Sequence, residues 1–321
     1  MIEKSGHQMK EITKQLEEGI RQLYDSDKYA AWLDVMSKFH NYSFRNCMLI
    51  AMQKPDATHV AGFKKWQSLE RHVMKGEKGI RIIAPSPFKI KTECMQKDSD
   101  GNTVLDARGN AVYSEVEINI PSYKVITVFD ISQTEGKPLP EITSMLADND
   151  KDYGTLIEAA CIYSSVPVNI IEINNGSNGF FDRNTNSIGV KSGMSESQTF
   201  KTIIHETAHS LLHAEDDDKS RNQKEVEAES VAYAVCRHFG IDASDYSFGY
   251  IAGWSRNDDL KEFRSSLELI QKTADGIITG IEEKQKVLDK GIENNMPDIF
   301  IRQMFTMDYK SMKEFYEEYF K

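Results

Sequence analysis

Two histidines four residues apart, with an acid beside the first, are the most chemically pointed feature of this sequence. They occur in His205-Glu206-Thr207-Ala208-His209, which fits H-E-x-x-H. On a helix, residues four apart share a face. His205 and His209 can therefore present imidazole nitrogens to one metal ion, with Glu206 placed to activate a water as general base. Zinc suits this set, because it takes imidazole and carboxylate and keeps a position open when catalytic. One Zn2+ per chain is expected. A third ligand should come from a second helix downstream. In Glu225-Val-Glu-Ala-Glu229, Glu225 and Glu229 share a face. Glu225 is the expected ligand, and Glu229 is expected to accept a hydrogen bond from the outer nitrogen of a ligand histidine. Ala228 is small enough to let the two helices approach, and Glu227 is a reserve ligand. His213 extends the histidine stripe, but it lies about 12 Å along the helix axis from His205. It is expected to be a helix-end residue.

Several elements must position these groups. Ser195-x-x-Gln198 reads as a capping box, and Phe200, Ile203, Ile204, Leu211 and Leu212 form an apolar stripe. A helix is predicted over 196–213, and another over 223–238. Just before the first, GFFDRNTNSIGV reads as two short strands joined by a turn. Such an edge could take a peptide as an added strand. Upstream, VPVNIIEI reads as a strand and 153–164 as a helix, giving a compact α+β half.

The first half reads as helices over 8–24, 28–39 and 44–53, then a short helix from Phe63 to Arg71 and a strand in GEKGIRIIAP. Residues 93–122 carry the turn signals DSDGN and DARGN and read as a long exposed hairpin. Residues 123–131 read as a buried strand. Gly and two prolines mark a boundary at 132–142, and the tail from 258 reads as several amphipathic helices. No internal repeat is expected. These readings divide the chain into domains over 1–134 and 143–256 and a helical extension over 257–321.

A net charge of −11 argues against indiscriminate nucleic-acid binding by the whole chain. Residues 38–91 nevertheless hold eleven Lys and Arg against three Asp and Glu. A basic stretch within an acidic chain suggests a local anionic partner. Tyr42, Phe44, Phe63 and Trp66 lie there among Arg45, Lys64, Lys65, Arg71, Lys75, Lys78 and Arg81. Single-stranded nucleic acid is bound by this mixture, since cations follow the backbone and rings stack on bases. No apolar run approaches the roughly 20 residues of a membrane span, and the start of the chain lacks a signal-peptide core. A cytoplasmic protein with no membrane partner is expected. Cys47, Cys94, Cys161 and Cys236 are scattered, so neither a disulfide framework nor a cysteine-rich zinc site is expected.

The H-E-x-x-H followed by Glu225-x-x-Ala228-Glu229 resembles the thermolysin-like zinc peptidases. That resemblance implies Glu225 as ligand, Glu229 as the outer carboxylate and a Tyr or His assisting the oxyanion, for which Tyr246 and Tyr250 are candidates. The basic stretch resembles the N-terminal domain of the ArdC-type antirestriction proteins. The matching pieces are Asn46-x-x-Leu49, Gln53-x-Pro55, Phe63-x-x-Trp66, Val73-x-x-Gly76-x-x-Gly79 and the strand VITVFDISQT. The resemblance covers most of residues 30–256; the 93–122 hairpin and the tail after 258 depart from it. It implies an α+β chain: a mixed α/β single-stranded-DNA-binding domain, a zincin-like metallopeptidase domain and a helical C-terminal tail. Its partners would be single-stranded DNA, contacted by the cations named above with Asn46 and Trp66, and an unidentified protein substrate. It also implies protection of incoming DNA on a mobile element. Two other readings share the metal site: a DNA-binding shield whose metal is structural, and a regulatory peptidase that cleaves a repressor.

Overall fold

Short polar side chains set the helix starts. In the computed structural model, which describes residues 2–139, 153–215, 218–246, 248, 251 and 260–293, α1 (Ile2–Gln22) leads into an Asp25 carboxylate that accepts the N–H groups of Asp27 and Lys28. That cap opens α2 (Ser26–Lys38). Ser43 caps α3 (Phe44–Gln53) in the same way through Asn46 N–H. The next helix, α4 (Phe63–Ser68), stops before the expected Arg71. Glu70 takes a positive φ of 58°, which ends the turn and sends Arg71 into a strand.

Four small sheets follow from the strand runs. β1 (Val60–Gly62), β6 (Tyr123–Asp130) and β3 (Ile80–Pro85) form one antiparallel sheet in that order. β2 (Arg71–Val73) pairs with β7 (Thr134–Gly136). The start of the expected domain boundary is therefore a strand of the N-terminal half. β4 (Phe88–Met95) and β5 (Tyr113–Ile120) form the predicted exposed hairpin. Its far end holds an eight-residue unit used twice, Lys97–Val104 and Leu105–Val112, sharing Asp, Gly, Asn and Val at equal offsets. In each, the Asp carboxylate takes two backbone N–H groups, Asp98 from Asp100 and Asn102, Asp106 from Arg108 and Asn110. Gly101 and Gly109 supply the positive φ. The expectation of no internal repeat is thus corrected; a period this short hides inside ordinary turn chemistry.

The second half places α5 (Tyr153–Tyr163) before a sheet ordered β8 (Val168–Ile171), β10 (Ser187–Lys191), β9 (Gly179–Asp182). β8 runs parallel to β10, and β9 antiparallel to it. Then come α6 (Glu196–Leu212) and α7 (Arg221–His238). Ser195 caps α6, but Gln198 turns to Thr202 instead of closing the expected box. The complete capping box lies at α7, between Ser220 and Gln223.

Of the tail expected to be helical, residues Leu260–Glu293 form one long helix, α8, and residues 294–321 lie outside the described residues. Phe263, Leu267, Ile270, Ala274, Ile277 and Ile281 recur on one face and are fully buried. That face packs against α5 and α7 and joins a single core with α1, α2 and α3. The extension is therefore central to the fold. No helix among the described residues is long and apolar enough to cross a membrane. Close packing of α8 on α5 needs Gly280, because a Cβ there would sit 2.1 Å from the Tyr163 ring. Gly280→Ala is expected to lower stability by about 1–3 kcal/mol through overpacking, read as an earlier urea midpoint with an unchanged slope.

Candidate metal centre

α6 and α7 pack side by side, and their facing turns bring His205, His209 and Glu225 together. The two histidine Nε2 atoms are 3.1 Å apart. The Glu225 carboxylate lies 3.6 Å from His205 Nε2 and 3.5 Å from His209 Nε2. Donors held about 2.1 Å from one tetrahedral ion are about 3.4 Å apart, so this triangle fits a small divalent metal. The hydrogen bonds with His205 and His209 hold the Glu225 carboxyl far below the usual carboxylate range. Burial pulls His205 down, but Glu225 and the nearby Glu206 charge outweigh it, and the ring ends above the usual imidazole value. Burial lowers His209, and the neighbouring His205 and His213 rings add to that against Glu225.

Glu206 is buried next to the triangle, and burial raises its carboxyl above the usual range. The backbone N–H of Phe181 donates to it. That N–H is available because Phe181 faces Ile188 in β10, whose own N–H goes to Pro167 on the far side. The peptide groups of Phe181 and Gly179 thus face the open edge of β9. Gly179 has no alternative here: a Cβ would meet Thr202 at 2.5 Å and Glu206 at 3.2 Å. The edge strand and α6 frame a cavity of about 540 Å3, with Phe180 and Phe181 on one wall and Arg183, Arg221 and Lys224 also lining it. Its lining is basic although this half of the chain is acidic.

His213 and Glu227 have an unanticipated arrangement. His213 caps α6 as expected, yet it is buried, with Nδ1 3.1 Å from His209 Nδ1 and Nε2 2.9 Å from Glu227. Glu227, the reserve ligand, is fully buried and engaged elsewhere: Lys219 and Ser266 donate to it as well. Burial would raise its carboxyl, but these three partners hold it below the usual range. An ionised carboxylate only accepts, so His213 donates through Nε2. With both rings neutral, His213 Nδ1 then accepts from His209 Nδ1–H, and the lone pair of His209 is left on Nε2, toward Glu225. Glu229 does not take the part expected of it. It sits near enough to feel the His205 charge, and burial raises its carboxyl, but no hydrogen bond joins it to either ring among the described residues. Tyr246 is also corrected: it bonds Cys236 and packs on Tyr233, away from the cavity lining. Tyr250 lies outside the described residues.

In the N-terminal half, Arg45, Lys64, Lys65, Lys75 and Lys78 are exposed, as is Phe63 at 49%. Four other expected contacts have internal work. Trp66 is buried and donates to Phe129 O. Asn46 bonds both the N–H and the carbonyl of Ile83. Arg71 reaches Thr134 and Lys137 across the β2–β7 pair. Arg81 reaches Glu11 and Gln15 on α1.

The sheet, the paired helices and the ligand triangle are those of a peptidase-like domain, and residues 163–236 match the peptidase family described as the IrrE N-terminal-like domain. Residues 6–129 match the N-terminal domain of anti-restriction factor ArdC. The chain thus carries, in this order, a region matching the N-terminal domain of ArdC and a region matching an IrrE-like peptidase domain. An uncharacterized protein of Bacillus anthracis is 29% identical over 323 residues, covering 91% of this chain and 55% of the relative. The DNA primase TraC of Escherichia coli is 25% identical over 254 residues, covering 74% of this chain and 17% of the relative. The chain thus spans about half of the first relative and less than a fifth of the second. The Mn(II)-bound crystal structure of antirestriction ArdC from plasmid R388 shares the fold at a TM-score of 0.50 and 18% identity, covering 83% of this chain and 97% of that one.

Because Glu227 and His213 fix the tautomer of His209, Glu227→Gln is expected to weaken the affinity of the triangle for a divalent metal by about 10- to 100-fold. Chelator competition measures this, and an affinity equal to that of the unmodified chain would separate the pair from the ligand.

Proposed function

We propose that this chain is a zinc-dependent peptidase whose N-terminal half binds single-stranded DNA, acting in the cytoplasm as an antirestriction factor of a mobile element. The observation that carries the peptidase reading is the His205–His209–Glu225 triangle set beside a buried Glu206 and an open strand edge. Two imidazoles and one carboxylate are a donor set that zinc takes with a position left open. Such an ion would supply Lewis acidity toward a peptide carbonyl and an attacking water.

The remaining chemistry belongs to the chain. A peptide substrate would pair with the Gly179 peptide group and the Phe181 carbonyl on the edge of β9, a contact that reads main chain and so tolerates many sequences. Glu206 would take the proton of the attacking water at its carboxylate. Its raised carboxyl is matched to the second half of that task, returning the proton to the leaving amine. Arg183, Arg221 and Lys224 line the cavity together with Glu206 and Glu225, so a substrate would meet both signs of charge near the cut. A purely structural metal would have no use for a buried acid at an open face, which weighs against the shield reading.

For DNA, the exposed Lys64, Lys65, Lys75, Lys78 and Arg45 are the cations left to follow a phosphate backbone, with Phe63 available for stacking. We assign this binding to residues 1–134 and the peptidase to 143–256.

Purified protein is expected to hold zinc at the triangle, and His205→Ala or Glu225→Ala should each abolish that occupancy. Glu206→Gln should keep the metal, slow cleavage by about 10²- to 10⁴-fold and hold uncut substrate for identification. A chain with the triangle intact that takes up no metal would end the peptidase reading. Independently, Lys64→Ala with Lys65→Ala should weaken single-stranded DNA binding at low salt. The slope of log K against log salt should then flatten by about 1.4, because two fewer phosphates of a single strand are neutralised. An unchanged slope would remove this helix from the DNA path.

A further inference from the structure

One other place among the described residues gathers metal-ligating side chains, and it lies in a different part of the molecule. His40 follows α2, His238 ends α7, and Glu282 projects from α8. One nitrogen of each ring and one carboxylate oxygen all lie within 4.8 Å of one another. The two rings meet edge to face, with centroids 4.9 Å apart.

The hydrogen-bond partners restrict where protons can sit. His238 Nδ1 is 2.9 Å from the Ser37 carbonyl, and its Nε2 is 2.9 Å from Glu282 Oε1. A carbonyl and an ionised carboxylate both accept and never donate. If Nδ1–H donates to Ser37, a neutral ring points its Nε2 lone pair straight at the carboxylate. Two acceptors in contact need a cation between or upon them: a second proton on the ring, or a metal ion. His40 repeats the arrangement. Its Nδ1 is 2.7 Å from Asp275 Oδ1, so Nδ1 donates and Nε2 is the ring nitrogen left with a lone pair. Each imidazole is thus anchored at Nδ1 by an oxygen, the way metal-binding histidines are usually held in place by their outer partners.

We propose that His40, His238 and Glu282 form a second metal site, for a divalent ion of the kind that imidazole favours, such as Zn2+. Asp275 and the Ser37 carbonyl orient the rings. The side chains are 13%, 20% and 30% exposed, which leaves room for a water as fourth ligand. A cavity of about 380 Å3 reaches His40 and its outer partner Asp275. Both acids at this place are engaged with the histidines, so a bound ion holds elements together instead of activating water. The elements it would join are the α2–α3 turn of the N-terminal half, the end of α7 and the body of α8.

The test counts metal in the full chain after stripping with chelator and dialysis against micromolar Zn2+. Two ions per chain are expected. His205→Ala with Glu225→Ala should leave one, and His238→Gln added to that background should leave none. In the same background, Zn2+ should raise the melting temperature, and His238→Gln should remove the rise. Should His238→Gln fail to fold, Glu282→Gln serves, with at least a tenfold loss of affinity expected. One ion in the unmodified chain, lost on removal of the first triangle, would overturn the proposal and leave His238 as an imidazolium paired with Glu282. Binding of the second ion only far above micromolar Zn2+ would overturn it equally. Because the second ion is counted in a chain lacking the first site, failure here and failure of the peptidase reading are distinguishable.

Discussion

The buried carboxylate of Glu227 is the constraint around which the C-terminal half is arranged. A carboxylate taken wholly out of water carries a large desolvation cost unless it is paired and hydrogen-bonded on all sides. Here the partners come from three separate stretches: His213 at the end of α6, Lys219 before α7 and Ser266 on α8. Satisfying one charge therefore fixes three helices relative to one another. His205 and His209 on α6 and Glu225 on α7 inherit their spacing from that arrangement. One turn along α7, Ser230 meets the Tyr29 hydroxyl at 2.8 Å, so α2 is drawn into the same packing.

The juxtaposition of His205, His209 and Glu225 is legible in the sequence because it depends only on helical periodicity. His205, His209 and Glu225 need two helices side by side, and residue spacing predicts which faces meet. The support around the triangle is not legible in the same way. Glu227 depends on Ser266, thirty-nine residues away on a separate helix whose partner periodicity does not name. Pattern alone points to Glu229, whereas the actual outer partner of His209 is a histidine one turn further along its own helix.

The basic stretch shows a different limit. Composition marks 38–91 as cationic, but not which cations have internal partners. Asn46 bridges α3 to β3, Arg71 bridges β2 to β7 and Arg81 ties β3 to α1. Their polar groups match backbone groups or an acid brought near by the fold, information that exists only in three dimensions. The lysines of α4 and of the β2–β3 turn stay outside because their long stems find no such match. The hairpin shows the same limit for backbone order. Two turn signals are visible in the sequence, but not that each Asp carboxylate closes an identical turn.

The pairing of α2 with α7 bears on how the chain reaches its native state. Tyr29 with Ser230, Asp34 with Arg237 and His40 with Asp275 join residues 201, 203 and 235 positions apart. During synthesis, the N-terminal segment emerges long before those partners exist. Tyr29, fully buried in the finished protein with its hydroxyl on Ser230, must wait until α7 has left the ribosome. Pairings of such sequence separation slow folding, because the loop entropy must be overcome before they form. The boundaries drawn by sequence families are therefore not the boundaries of cooperative folding. The nascent chain matures late and as a whole, and it depends in the meantime on whatever shields apolar helices in the cell.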